Sequence, residues 1–283
     1  MNQAEKPPLF FHLGIERTGT TYLQDLVFPH FKGITYFYRT TYETLDKHID
    51  QASAESQFLS FEYNLNQQFL GEVPRFASQF PHTRPIVVFR RQHSWLSSQF
   101  KRFVKNGNPI TFGKFFDLEK NESLYKREDL VFMDRIKFLE QHFKFKPLVL
   151  FYDDFVKDKE GFLKTICDYI GATFNPSDVQ RKTKHTSYNT KQLKAINTVA
   201  KFVNIRRKKP FNNVVGNLTA RYLKDAVRYP VLFVANYLPE SFFSKDPLID
   251  KDYLEKIKAY YQQDWESCRE YALKNNAELL TKA

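Results

Sequence analysis

Short apolar segments alternate along the chain with segments of helical periodicity. The apolar segments are residues 9–14, 33–38, 57–62, 84–90 and 147–152. Because nearly every position in them is apolar, they are typical of strands that are buried on both faces, as in a parallel sheet. Their alternation with helices predicts an α/β fold in which helices flank a central parallel sheet.

Helices are predicted between these strands. One begins after Gly19 and ends near Pro29, and another follows Arg90. Two more carry apolar stripes at helical spacing, one over residues 132–143 and one that ends at Gly171, a residue typical of helix C-termini.

The end of the sequence predicts a final helix whose apolar stripe is core. Its residues recur at gaps of three and four: Leu254, Ile257, Tyr261, Trp265, Cys268 and Ala272. We interpret the 283 residues as a single domain, with a core over about residues 8–200 and a helical, basic C-terminal extension over about residues 200–283.

Composition narrows the class of protein. Hydrophobic residues make up 42% of the chain and aromatic residues 17%, which is typical of a globular protein. The start of the chain does not read as a signal peptide, and no apolar run is long enough to span a bilayer. The two cysteines, Cys167 and Cys268, form no CxxC pair, which favours a reducing, cytoplasmic location.

The positive charge of the chain is local. Residues 179–224 contain 12 Lys and Arg and no Asp or Glu, whereas the whole chain carries a net charge of +11. The segment has no helix-turn-helix, zinc or stacked-aromatic pattern, so nucleic acid is not an expected partner. Three interpretations stay open: residues 204–211 guide an anionic acceptor such as an acidic glycan or lipid headgroup, the segment contacts a membrane surface, or it is a solvated basic face.

The segment FFHLGIERTGTTYLQ, residues 10–24, resembles a phosphate-binding loop. Gly14 and Gly19 have the G-x₄-G spacing, but the lysine that usually follows the second glycine is missing, and Arg17 is the one cation in the loop. An apolar strand precedes the loop and a helix follows it, so backbone N–H groups and the helix N-terminus would face an anion.

A second segment, RPIVVFRRQHSWLSSQFKRFVKNG, places Arg90 at the end of an apolar strand and Ser98 eight residues later. Together with the RTGTT of residues 17–21, it resembles the sulfotransferases that use 3′-phosphoadenosine 5′-phosphosulfate (PAPS), whose loop reads roughly [KR]-[ST]-G-T-[ST]. The RRQxxWLxS motif resembles that of a bacterial carbohydrate-sulfotransferase-like subgroup. That subgroup has similar sequences at the positions of FGKFFD (112–117), FYDDF (151–155) and residues 181–197.

The resemblance implies a P-loop NTPase-like sheet, PAPS as the donor and adenosine 3′,5′-bisphosphate (PAP) as the product. It implies no metal, and the seven histidines show no metal-ligand spacing. The residues it assigns to PAPS are Arg17, Thr18, Gly19, Thr20, Thr21 and Tyr22 in the loop, Arg90 and Ser98 at the 3′-phosphate, and Arg181, Lys182 and Ser187 closing over it. The family usually has Lys at the position of Arg17.

The same resemblance makes Glu62 the candidate catalytic base and Arg17 a catalytic cation. Relatives place a His or Glu at the end of this strand, and Ser60 and Glu62 match an S-x-E pattern. The alternative for Glu62 is a strand-end carboxylate that pairs with an arginine. His93 and His185 are weaker candidates for the base, whereas His12, inside the first strand, is expected to be buried and structural.

Three further alternatives stay open. Tyr22 could be a core tyrosine, Trp95 is most simply a packing residue, and Arg91 is either a phosphate ligand or a solvated neighbour of Arg90. The expected activity is sulfuryl transfer from PAPS to a hydroxyl, on a carbohydrate as the subgroup implies. The rivals are a nucleotide-dependent phosphotransferase, which would need a strand-end Asp better placed than Asp153, and a non-catalytic binder of polyanions or membrane surfaces.

Overall fold

The computed structural model describes residues 7–37, 49, 55–65, 67–179, 188–206 and 213–281. The chain divides into two compact units. The first comprises Met1–Gln92, Glu128–Lys184 and Tyr260–Ala283, and the second comprises His93–Arg127 and His185–Ala259.

The first unit is built on a five-stranded parallel sheet in the order β2-β3-β1-β4-β5. The strands are β1 (Leu9–Ile15), β2 (Thr35–Phe37), β3 (Gln57–Tyr63), β4 (Arg84–Phe89) and β5 (Leu148–Phe151). All five lie within two residues of the predicted segments. The predicted class of fold, a central parallel sheet with helices around it and a helical C-terminal region, is confirmed.

Eleven α-helices lie in the described part of the chain. In chain order they are α1 (Thr20–Tyr22), α2 (Gln67–Gln79), α3 (Gln92–Lys105), α4 (Phe112–Phe115), α5 (Phe132–His142), α6 (Tyr152–Lys157), α7 (Lys159–Ile170), α8 (Thr190–Val199), α9 (Val214–Tyr237), α10 (Lys251–Tyr260) and α11 (Gln262–Thr281). A π-helical turn and a 3-10 turn extend α1 to His30, next to Pro29, as predicted. Gly171, with φ of 72°, ends α7 in the left-handed conformation.

Both faces of the sheet are covered, because successive residues of β1 point to opposite sides. Phe10 packs edge-on against Tyr169 of α7, with ring centres 5.4 Å apart. Phe11 packs on the other face against Phe76 of α2, at 4.7 Å. The unbroken apolar runs seen in the sequence are therefore strands that are buried on both sides.

The open edge of β5 is closed by α11. The side-chain amide of Asn276 accepts a hydrogen bond from the Val149 backbone N–H at 3.3 Å and donates one to the Val149 carbonyl at 2.7 Å. Asn275 donates to the carbonyl of Pro147 at 2.9 Å. These amides occupy backbone groups that would otherwise be free to pair with another strand.

The predicted final helix is two helices, α10 and α11, separated by Tyr261. No proline or glycine lies at this break, and the apolar stripe continues through it. The sequence therefore predicted one helix. The stripe itself is core as predicted, since Ile257, Tyr261, Trp265, Cys268 and Ala272 are buried and Leu254 is half-buried. Both cysteines are buried free thiols.

The second unit is helical in the part that the structure describes. Its small core brings Ile196 and Ala200 against Leu232 of α9 and the loop residue Ile205. Arg228 of α9 is fully buried and donates hydrogen bonds to the carbonyls of Ile205 and Lys105. Trp95 is buried edge-on against Tyr125, as its interpretation as a packing residue predicts. No helix among the described residues is long and apolar enough to cross a membrane.

Candidate active site

The loop between β1 and α1, residues 14–21, is the centre of the candidate site. Arg17 has φ of 69° and Gly19 has φ of 86°, so both adopt the left-handed conformation. Glycine does so freely, whereas a non-glycine residue costs about 1–2 kcal/mol there. Strained residues of this kind persist where the surrounding structure holds them, and they concentrate at ligand sites. Loops with left-handed residues form the backbone N–H concavities that bind anions.

Buried threonines hold this loop in place. The hydroxyls of Thr18 and Thr20 donate to the carbonyl of Ile15 at 2.6 and 3.2 Å. Gly14 fits beneath them, because a Cβ there would lie 2.5 Å from the Thr20 methyl carbon. The family resemblance assigns Thr20 and Thr21 to PAPS, and in the structure the Thr20 hydroxyl donates to the Ile15 carbonyl at the end of β1.

Glu62 lies beside the loop. It is the register partner of Gly14 in the β1–β3 pairing, and its side chain is half-buried. The Thr21 hydroxyl donates to its Oε2 at 3.4 Å. The carboxylate and the loop are thus neighbours at the carboxyl ends of adjacent strands, where ligands bind in open parallel sheets.

A buried polar chain lies behind Glu62. The Ser60 hydroxyl is 2.8 Å from Nδ1 of His12 and accepts a hydrogen bond from Gln24 at 3.0 Å. Burial lowers the pKa of His12 to about 3, so the imidazole is neutral. His12 is therefore a structural residue, as predicted.

Arg90 approaches the loop from the end of β4. Its guanidinium donates to the Arg17 carbonyl at 3.2 Å and lies 4.7 Å from the centre of the Tyr152 ring. Burial lowers the pKa of Arg90, an effect that Tyr152 and Asp153 partly offset, and an arginine remains charged in this situation. A cation held at the loop can bind a second anionic group of a ligand.

Aromatic residues after β5 form one side of the loop. Tyr152 and Phe155 would contact a side chain placed at Gly19, and Phe155 packs against Tyr22 at 5.8 Å. Lys159 donates to the Tyr22 hydroxyl and lies 4.5 Å from the centre of its ring. Tyr22 is half-buried, with its ring against Phe155 and its hydroxyl accepting from Lys159.

Sequence reasoning gave no role to Tyr152 or Lys159. The available signal was the FYDDF segment directly after a predicted strand, because a residue that follows a parallel strand lies at the same edge as the loop.

Arg91 contacts α11. It donates to Gln262 of α11 and lies 6.0 Å from the centre of the Trp265 ring. The adjacent Gln92 donates to Asp264 at 2.7 Å, and Asp264 accepts from the first backbone N–H groups of α5. Residues 91 and 92 therefore tie the sheet edge to α11.

Ser98 is the seventh residue of α3 and is half-buried in the second unit, as is His93. Arg181, Lys182, His185 and Ser187 lie outside the described residues. The residues that the structure brings together are therefore Gly14, Arg17–Thr21, Tyr22, Glu62 and Arg90.

This arrangement brings the left-handed loop, the guanidinium of Arg90 and the carboxylate of Glu62 together at a single sheet edge. A model of the sulfotransferase domain family matches residues 7–216. The chain belongs to this family.

Two solved structures are similar to this sulfotransferase. A sulfotransferase from Alicyclobacillus acidocaldarius is 15% identical over 68% of this chain and 92% of that chain, with a TM-score of 0.44. Mouse sulfotransferase SULT7A1, crystallised with PAP, is 20% identical over 60% of this chain and 61% of that chain, with a TM-score of 0.42. No curated protein sequence matches the chain significantly.

Proposed function

We propose that this sulfotransferase moves a sulfuryl group from PAPS to an acceptor hydroxyl and releases PAP. The observation that carries the proposal is the convergence of the loop, Glu62 and Arg90 at the carboxyl ends of three adjacent strands. Membership of the sulfotransferase family supports the reaction class, and the loop geometry supports a nucleotide donor with anionic groups.

The donor occupies the loop and the Arg90 side of the edge. Backbone N–H groups of residues 17–21 and the guanidinium of Arg17 bind the phosphosulfate. Arg90 binds the 3′-phosphate, and Tyr22 stands beside the nucleotide. The family resemblance adds Ser98, Arg181 and Ser187 as ligands of the 3′-phosphate, and of these Arg181 and Ser187 lie outside the described residues.

The chemistry assigned to the chain is proton transfer and charge stabilisation. Glu62 accepts the proton of the attacking hydroxyl, because its carboxylate lies next to the loop at Thr21. The sulfur–oxygen bond to the phosphate breaks as the bond to the acceptor oxygen forms, and the electron pair leaves with the phosphate. Arg17 and the loop amides stabilise that charge. Since arginine does not give up a proton, Arg17 acts through its charge alone.

The acceptor is a carbohydrate hydroxyl in this proposal. The support is the resemblance of residues 90–98 to the carbohydrate-sulfotransferase-like subgroup. The acid-free segment of residues 179–224 favours an acceptor that carries negative charge.

Binding measurements test the donor. Calorimetric titrations with PAP and with ATP, each with and without Mg²⁺, separate a sulfotransferase donor site from a phosphotransferase site. We expect tight PAP binding that is independent of Mg²⁺. Preference for ATP with Mg²⁺ would contradict the proposal.

The variant Glu62→Gln tests the base. It keeps the shape of the side chain and removes the proton acceptor, so transfer should fall by on the order of 10²–10⁴-fold while PAP binding stays within about a few-fold of wild type. The matched control is Glu72→Gln on α2, whose carboxylate is paired with Arg75. Near-normal transfer by Glu62→Gln would indicate that His93, His185 or solvent is the base. Loss of PAP binding would indicate that Glu62 is a structural partner of an arginine.

A further inference from the structure

One face of α9 is apolar and exposed to solvent. Nine side chains form it: Val215, Leu218, Tyr222, Leu223, Val227, Tyr229, Phe233, Val234 and Tyr237. At 100° per residue these positions span about half the circumference of the helix. We refer to these nine residues as the α9 face. The exposed fractions of Tyr222 and Tyr237 are 73% and 72%, so most of each side chain is in water.

The opposite side of α9 is fixed by packing. Leu232 and Ala235 are buried there, and the buried guanidinium of Arg228 donates to the Ile205 carbonyl. Asp225 lies 3.8 Å from Arg228. Turning the α9 face inward would expose these groups and bring Arg228 out of its hydrogen bonds. The outward orientation of the face is therefore a property of the fold of this unit.

The composition of the α9 face is typical of a membrane interface. Three of the nine residues are tyrosines, whose rings combine an apolar body with a polar end and concentrate at the headgroup level of bilayers. All four charged residues of the helix, Arg221, Lys224, Asp225 and Arg228, lie on the other half of its circumference. A helix with this division lies in the plane of the interface and does not cross the bilayer.

The positive charge of the basic segment indicates which kind of partner binds the α9 face. The segment 179–224, which runs into α9, carries 12 cations and no acid. It reaches the helix in the described structure, because Lys224 donates to the Arg206 carbonyl at 2.8 Å. Anionic headgroups attract such a segment. A second copy of this chain docked on the same face would bring two of these segments together, and their repulsion opposes a dimer.

We propose that α9 docks on the surface of an anionic phospholipid bilayer, with the α9 face in the boundary between headgroups and acyl chains. Exposed cations near the helix, among them Lys201 and Arg206, contact the headgroups, whereas Arg221 lies on the other half of α9, 3.7 Å from Asp225. Of the three interpretations of the basic segment, contact with a membrane surface is also supported by the apolar α9 face, because a purely electrostatic role would not require such a face. The inference does not depend on the donor or the acceptor of the reaction.

Flotation of the whole protein with vesicles tests the proposal. Vesicles of phosphatidylcholine alone are compared with vesicles of phosphatidylcholine and phosphatidylglycerol. We expect binding to the anionic vesicles that weakens as salt is raised. The combined variant Lys201→Gln and Arg206→Gln should weaken it by on the order of 10-fold.

Two matched sets of variants separate the α9 face from exposed apolar side chains in general. Tyr222→Gln, Tyr229→Gln and Phe233→Gln together should abolish binding. Leu124→Gln, Tyr260→Gln and Leu273→Gln together should leave it unchanged, although these side chains are at least half exposed. In addition, Tyr229→Trp should show emission at shorter wavelength when vesicles are added, since the native Trp95 and Trp265 are both buried.

Three results would overturn the inference. One is equal flotation of the two triple variants, and another is a Tyr229→Trp emission that vesicles do not change. The third is a dimer, seen by light scattering in the absence of lipid, that the α9-face variant dissociates, because a second copy would then occupy the face.

Discussion

Acidification should destabilise the first unit through a single buried histidine, His12. Its ring is fully buried in β1, its Nδ1 lies 2.8 Å from the Ser60 hydroxyl, and its Nε2 has no hydrogen-bond partner among the described residues. The tautomer of the neutral ring decides whether Nδ1 donates to the Ser60 hydroxyl or accepts from it, and in either case burial opposes a second proton.

The magnitude follows from the shift of the pKa. Burial lowers the pKa of His12 from 6.5 to about 3 in the folded protein. The unfolded chain therefore binds more protons than the folded one between these values. This contribution to stability is complete above pH 6.5 and is lost as the pH falls, by about 1.4 kcal/mol per pH unit. Between about pH 7.5 and about pH 5.5 the wild type should lose about 1.4 kcal/mol through His12 alone.

Urea unfolding at these two pH values measures the effect. His12→Gln keeps a polar group near Ser60 but does not titrate, so its unfolding free energy should lack this part of the pH dependence. Trp265 lies in the same unit as His12 and Trp95 in the other. A Trp95→Phe background therefore restricts the fluorescence signal to the unit of interest. Equal losses of stability in wild type and His12→Gln would refute the reasoning.

Two further predictions concern the donor site. Arg17→Ala should leave the fold intact and reduce sulfuryl transfer by on the order of 10²–10³-fold, as measured by initial rates, whereas Arg17→Lys should retain substantial activity. Wild-type turnover by Arg17→Ala would exclude its role. Arg90→Ala should erase most of the preference for PAP over AMP in calorimetric titrations, because charge-assisted hydrogen bonds to the 3′-phosphate would be lost. Equal binding of the two nucleotides by the wild type would contradict this assignment.

Local patterns were sufficient for the sheet and for part of the site. A strand that is buried on both faces needs apolar residues at nearly every position, so the five strands were visible in the sequence. Parallel strands end at one edge, so the predicted strand-end positions of the loop after Gly14, of Glu62 and of Arg90 imply that the three share an edge. The register of Gly14 with Glu62 and the hydrogen bond from Arg90 to Arg17 agree with that prediction.

Long-range strand pairing and side-chain rotamers could not be predicted from the local sequence. Tyr152 and Phe155 flank the loop because β5 pairs with β4, a pairing of residues about sixty positions apart that no local pattern encodes. The inward hydrogen bonds of Thr18 and Thr20 depend on rotamers that the loop backbone selects. The break at Tyr261 has no local signal, since the apolar stripe continues through it.

The amides of Asn275 and Asn276 have a consequence for synthesis of the chain on the ribosome. The strand that they cover, β5, is complete at residue 151, more than a hundred residues before the asparagines are made. A nascent chain that has formed the sheet early thus carries an uncovered strand edge throughout that interval, and such edges recruit other chains. The interval in which the growing chain is open to aggregation therefore closes only when α11 leaves the exit tunnel and docks.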